Sequence, residues 1–93
     1  MRFKFDKTKS ELLRNNPKRK IGFEEVQEIW NHRYYEDCRS DLPEQFRAIG
    51  WVKGIIYSVI FEIREDKRGE YYHLVTLWKS TKQEQALYET NIK

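Results

Sequence analysis

Ile55-Ile56-Tyr57-Ser58-Val59-Ile60-Phe61-Glu62-Ile63-Arg64, then Glu65-Asp66-Lys67-Arg68-Gly69, then Glu70-Tyr71-Tyr72-His73-Leu74-Val75-Thr76-Leu77-Trp78, is the stretch on which the fold turns. Both arms are rich in β-branched and aromatic residues, which suit a pleated, half-buried surface. The segment between them is polar and ends in glycine, a connection of hairpin length. Working backwards, residues 45–52 read as another strand, joined to the first arm by the tight turn Lys53-Gly54. Residues 32–38 read as a strand before that, with Ser40-Asp41-Leu42-Pro43 as the turn. Four strands in succession with such short connections require mainly antiparallel pairing.

The flanks read as helices and one more strand. Phe3 and Phe5 alternate with Arg2 and Lys4, the pattern of a short first strand. Asp6 or Thr8 can cap the helix that follows, and Thr8-Lys9-Ser10-Glu11 has capping-box spacing. Leu12 and Leu13 form its apolar side, and Asn15-Asn16-Pro17 stops it, because proline disfavours a helical residue before it. Phe23, Val26, Ile29 and Trp30 fall at helical spacing in a second helix with acids near its start. Thr81-Lys82-Gln83-Glu84 is a second capping box, opening a C-terminal helix with Ala86, Leu87 and Tyr88 as its apolar side. The order is β-α-α-β-β-β-β-α. It predicts an α+β fold: an antiparallel sheet of about four to five strands, with two N-terminal helices and one C-terminal helix. Helices against one face would leave the other free for a ligand.

Ninety-three residues, 39% of them hydrophobic, suffice for one domain spanning 1–93 with one core. No apolar run approaches the ~20 residues that cross a bilayer, and the first residues lack a signal-peptide core. The single cysteine, Cys38, allows no internal disulfide, so a cytoplasmic protein without membrane association is expected. Net charge is +3, but residues 1–20 hold eight basic and two acidic side chains, a basic segment suited to phosphate backbones or simply to solvent. Glycine-rich phosphate loops, HExxH and serine-elbow patterns are absent from the sequence. His32 and His73 lie far apart with scattered acids, so no metal and no cofactor is expected.

The strands carry polar residues that a core would not use. Ser58, Glu62 and Arg64 share one face, as do Gln45 and Arg47. Strict alternation puts His73 with Tyr71, Val75 and Leu77, and Thr76 with Trp78 on the opposite side. Basic residues, histidine and glutamate are what metal-free RNA cleavage needs. A base takes the ribose 2′-hydroxyl proton, an acid protonates the departing 5′-oxygen, and cations stabilise the phosphorane. The same residues also suit the solvated face of an antiparallel sheet. Trp30 and Trp51 are expected in the core, whereas Trp78 lies at a strand end beside Lys79-Ser80-Thr81-Lys82.

Five stretches together resemble a known family. Phe5-Asp6-Lys7-Thr8-Lys9 followed by Asn15, Ile21-Gly22-Phe23-Glu24-Glu25-Val26, Phe46-Arg47-Ala48-Ile49-Gly50, Leu74-Val75-Thr76-Leu77-Trp78 and Lys79-Ser80-Thr81-Lys82-Gln83-Glu84 with Tyr88 are similar, in order and spacing, to the BrnT-type ribonuclease toxins of type II toxin–antitoxin systems. The resemblance implies a RelE-like fold and a metal-independent endoribonuclease that cleaves cellular RNA. It also implies a cognate antitoxin with a ribbon-helix-helix domain, through which alone operator DNA is bound. Matched residue by residue, it implies catalytic roles for Arg64, His73, Lys79 and Glu84. Arg47, Lys18, Arg19, Lys20, Trp78 and Lys82 are the expected RNA-binding residues. Trp78 stands where the family usually has Arg, and Arg19-Lys20 replace its frequent His-Gly. Glu84 is equally well explained as the capping residue of the last helix. The alternative reading is a non-catalytic, toxin-like module that only binds an antitoxin or RNA.

Overall fold

The hairpin at residues 55–79 forms as its composition dictates. In the computed structural model, which describes residues 1–92, β4 (Ile55–Asp66) pairs antiparallel with β5 (Gly69–Lys79). Gly69 takes φ +106° at the turn, a conformation that favours glycine. On the other side, β3 (Glu44–Val52) joins β4 through Lys53 and Gly54, both at positive φ, as a tight hairpin requires. β2 (Tyr35–Asp41) pairs antiparallel with β3, and β1 (Arg2–Lys4) lies parallel to β5. The sheet order is β1-β5-β4-β3-β2, with α1 (Lys7–Asn15), α2 (Phe23–Val26) and α3 (Lys82–Asn91) in the expected sequence order.

Strict alternation fails in β2, where Arg39 is an extra residue between Cys38 and Ser40, and again in β5. Ile60 opposes Thr76 while Phe61 opposes Leu74, so Val75 is an extra residue, a β-bulge. Beyond it the phase reverses. His73 and Trp78 face Glu62 and Ser58, which share a face of β4, whereas Leu77 faces Val59 on the opposite side. The expected separation of His73 from Thr76 and Trp78 is therefore corrected, as is the grouping of His73 with Leu77.

The helices do not share one face, as the sequence had led us to expect. α1 and α2 cover the side that carries Ala48, Val59, Phe61 and Leu77, with Phe23, Val26 and Ile29 buried against them. α3 lies on the other side, where Tyr88 packs on Ile49 and Ile56. Ile49 follows Ala48 along β3, so the two clusters occupy opposite faces. Along α3, Tyr88 is buried, Leu87 is half-buried and Ala86 is exposed, with Glu84 turned inward in their place. The second helix is also shorter than its periodicity suggests, since a 3₁₀ turn takes over at Gln27–Asn31. That turn still presents Ile29 to the core and Trp30 edge-on to Phe61, with ring centroids 5.3 Å apart. Trp51 is 46% exposed, not a core residue, because it lies on the α3 side at the hairpin end of the sheet.

Asp6, of the two candidate caps, closes α1 by accepting from the Lys9 N–H at 3.0 Å. Ser10, fully buried, ties α1 to α2. Its hydroxyl donates to Glu24 and accepts from the Phe23 N–H at 2.8 Å. Gly22 fits against this junction, and a Cβ there would lie 2.5 Å from Ser10 Oγ and 2.8 Å from the Ser10 carbonyl oxygen. Since backbone must give way, Gly22→Ala should cost about 1–3 kcal/mol. The expected readout is a lower urea midpoint with an unchanged slope; an unchanged midpoint would show that the junction is not tightly packed.

Candidate nucleic-acid interface

The sheet face shared with α3 gathers the polar residues into two neighbouring groups. The first is built on β2, β3, the end of β5 and the first turn of α3. Arg47 Nε donates to Asp37 Oδ1 at 3.0 Å, Nη2 donates to Asp37 Oδ2, and Nη1 donates to Glu84 Oε2 at 3.4 Å. Glu84 Oε1 accepts from the Trp78 indole N–H at 2.8 Å and from the Thr81 N–H at 2.9 Å. The Thr81 hydroxyl accepts from the Glu84 N–H in return, completing the capping box. Ser58 and Ser80 share a buried hydroxyl hydrogen bond of 2.8 Å beside this group. Burial pushes the Glu84 carboxyl up. The Thr81 N–H, the Trp78 indole, the Ser58 hydroxyl and Arg47 together outweigh that, and hold it below the ordinary value. Arg39, the extra residue at the irregularity between Cys38 and Ser40 in β2, places its guanidinium 5.5 Å from the Trp78 ring centroid. Arg39, Arg47, Trp78 and Glu84 line an open cleft of about 350 Å³.

The second group lies further along β4 and β5. Glu62 accepts from Gln45 Nε2 at 2.8 Å and from Arg64 through Nε at 3.0 Å and Nη2 at 2.6 Å. The hydrogen bond from Gln45 and the Arg64 charge keep the Glu62 carboxyl below its usual value despite burial. His73 is the cross-strand partner of Glu62 and, on its other side, of Lys4. Burial and then the Arg64 charge push the His73 imidazole down; Lys9 acts the same way and Glu62 opposes them. At neutral pH His73 is therefore uncharged while cations stand around it. At the sheet edge Asp66 accepts from Arg2 at 2.7 Å and from Lys4 at 2.8 Å, and both cations lie over the Tyr71 ring.

Of the residues singled out from the sequence, Arg64 and His73 come together around Glu62, and Arg47, Trp78 and Glu84 come together around the cleft. Lys79 does not join either group. It opposes Tyr57, which belongs to the core under α1 and α2, so it projects to that side. Lys18, Arg19 and Lys20 sit in the loop between α1 and α2, on that same side. Arg19 is an anchor there, with Nε donating to the Leu77 carbonyl at 3.0 Å and its own carbonyl accepting from the Tyr57 hydroxyl at 2.5 Å. Lys18 and Lys20 are exposed on this loop, and Lys82 is exposed at the start of α3. Asp37 and Arg39 escaped the sequence reading, which ended their strand at residue 38. Period two would have placed Tyr35 and Asp37 on one face, whereas the irregularity at Arg39 leaves no mark in the spacing.

Among the described residues no three of His, Cys, Asp and Glu converge so as to hold a metal ion. No described helix is long and apolar enough to cross a membrane. The fold and this face define a small α+β domain with a polar, arginine- and aromatic-bearing sheet surface. A scan of protein-family models finds no match to the chain, and a search of curated proteins finds none either.

Glu84 gives a direct test of the first group. Its depressed folded-state value means that its ionised contacts stabilise the fold above the unfolded carboxylate pKa of about 4.3, and that this contribution is lost as pH falls through the folded value. Glu84→Gln should therefore cost about 1–3 kcal/mol at neutral pH, and the gap to wild type should narrow towards about pH 3. A gap of equal size at both pH values, measured by denaturant titration, would show that the charge contributes nothing.

Proposed function

We propose that the chain is a metal-independent endoribonuclease acting in the cytoplasm as the toxin of a toxin–antitoxin pair, with RNA bound across the face that carries His73 and Arg64. The observation that carries this reading is His73, held uncharged on a half-exposed strand among Lys4, Lys9 and Arg64. Those cations attract phosphate, and the neutral imidazole is in the form a general base needs. His73 takes the 2′-hydroxyl proton, the 2′-oxygen bonds to phosphorus, and the bond from phosphorus to the 5′-oxygen breaks. The departing oxygen takes a proton from solvent, leaving a 2′,3′-cyclic phosphate. Arg64 balances the charge of the phosphorane. Glu84 positions Arg47 and Trp78 and does not itself touch the reacting atoms. The resemblance in the strand–helix stretch 74–89 supports the toxin role and a cognate ribbon-helix-helix antitoxin as partner.

A specific observation favours the second reading, a module that binds without cutting. Arg47 is already paired with Asp37 and Glu84, and Trp78 stands where the toxins that the sequence resembles usually have Arg.

Purified protein should cleave RNA in excess EDTA, and His73→Ala should lower the rate ~10²–10⁴-fold while circular dichroism stays unchanged. Arg64→Ala should cost ~10²–10³-fold, and Lys79→Ala, on the other side of the sheet, far less. Because His73 is pushed down, kcat/KM should rise with pH through a midpoint below the ordinary histidine value of about 6.5 and then level off. Absence of cleavage, with tight binding of the neighbouring gene's product, would leave only the binding module.

A further inference from the structure

We propose that the cleft between Arg39 and Trp78 is a stacking slot for one unpaired nucleobase, so that the RNA met by this face is single-stranded. The inference rests on the reading that this face meets RNA, and it holds whether or not the RNA is then cut. Trp78 is a fixed platform. Its indole N–H is tied to the buried carboxylate of Glu84 at 2.8 Å, which prevents the ring from turning and leaves the ring surface towards the cleft. Arg39 lies over that ring at 5.5 Å, near the ~6 Å limit of a cation–π contact, and no carboxylate pairs with it among the described residues. An exposed guanidinium so held is easily displaced by a better partner. A base sliding onto the indole exchanges this contact for a stacked one and frees the guanidinium for the adjoining phosphate.

The rest of the lining suits that occupant. Leu87 is an apolar wall, and Thr81 and Gln83 contribute hydrogen-bonding side chains. Arg47, held by Asp37 and Glu84, completes the lining, so the cation left for an adjoining phosphate is Arg39. At about 350 Å³ the cleft lies at the lower end of the ~300–1,000 Å³ range of small-ligand sites. It is open to solvent along one side, as continuous passage of a strand demands. Bases held in a duplex have no free ring face to offer, whereas an unpaired base stacks on an aromatic side chain almost irrespective of its identity.

The test uses a fluorescently labelled 2′-O-methyl RNA of about eight nucleotides. It lacks the nucleophilic hydroxyl and cannot be cut, so anisotropy reads binding alone. The single strand should bind at least ~10-fold more tightly than the same sequence in a duplex, and more tightly than adenosine monophosphate. Trp78→Leu should weaken binding ~5- to 100-fold, the range expected for loss of one stacked base, and Trp78→Phe should retain most of it. Arg39→Ala should reduce the slope of log affinity against log salt concentration by about one phosphate contact. Equal affinity for duplex or mononucleotide, Trp78→Leu binding like wild type, or Arg39→Ala with an unchanged salt slope, overturns the slot. If Trp78→Leu loses its circular dichroism signal, Arg39→Ala decides, because Arg39 is exposed and packs on nothing in the core. Tight single-strand binding without cleavage of ordinary RNA removes the ribonuclease reading and leaves the slot. Cleavage with affinity indifferent to Trp78 and Arg39 removes the slot alone.

Discussion

The ladder between β4 and β5, and its one interruption at Val75, set the positions of nearly everything else in the molecule. An unbroken ladder would send Trp78 to the side of α1 and α2 and bring Leu77 out under α3. With one extra residue in β5, Leu77 enters the core with Val59, and Trp78 arrives beside Ser58 on the polar face. The bulge thus satisfies two demands at once. The N-terminal half of β5 needs Tyr72 and Leu74 turned to the aromatic core, and the C-terminal half needs Leu77 there. A residue count that cannot meet both by alternation meets them by a local break, at the cost of an unpaired position.

The face that results is crowded with charge, and its stability depends on pairing. Glu84 is 5% exposed, and an ionised carboxylate at that depth without partners would cost several kcal/mol. Here two backbone-and-indole donors meet one oxygen and Arg47 meets the other, so the charge is retained. Arg47 in turn is fixed by Asp37, which links α3 through β3 to the edge strand β2. The network is therefore both the clasp that seats α3 on the second face and the floor of the cleft. A helix cap, ordinarily worth about 1 kcal/mol to its own helix, here orients side chains from three other elements.

The other face shows the opposite solution. Trp30, Phe61, Tyr72 and Phe3 meet at centroid distances of 4.6–5.9 Å, mostly tilted or edge-on, an arrangement that aromatic rings prefer to flat stacking. That cluster lets a three-residue strand, β1, hold the sheet edge, helped outside by Asp66 gripping Arg2 and Lys4. Cations of the basic N-terminal segment are thereby divided. Some brace the edge beside His73, while Lys18 and Lys20 stay on the loop across the sheet. What looked in sequence like one basic region serves two surfaces.

Element order, the antiparallel hairpin pairing and the capping box of the last helix were legible in the sequence because each rests on local chemistry. The box at Thr8-Lys9-Ser10-Glu11 did not form, since Asp6, ahead of it, caps α1. β-Branched runs, short polar turns, Asn15-Asn16-Pro17 and Thr81-Lys82-Gln83-Glu84 act over a few residues, and no distant contact overrode them. The pairing of Glu62 with Arg64 and of Gln45 with Arg47 on common faces was legible for the same reason, since period two holds within an uninterrupted strand. Three things were decided only by tertiary structure. The phase of β5 after Val75 was one, because a bulge answers to the packing of both halves and leaves no mark in composition. The placement of α3 opposite α1 and α2 was another. An amphipathic helix states which of its sides is apolar but not which sheet face will receive it, and the inward turn of Glu84 requires partners from β3 and β5 that lie far off in sequence. The last was the separation of Lys79 from His73 and Arg64. Six residues apart on one strand, Lys79 and His73 should share a face by simple alternation, and the single added residue between them puts them on opposite sides of the sheet.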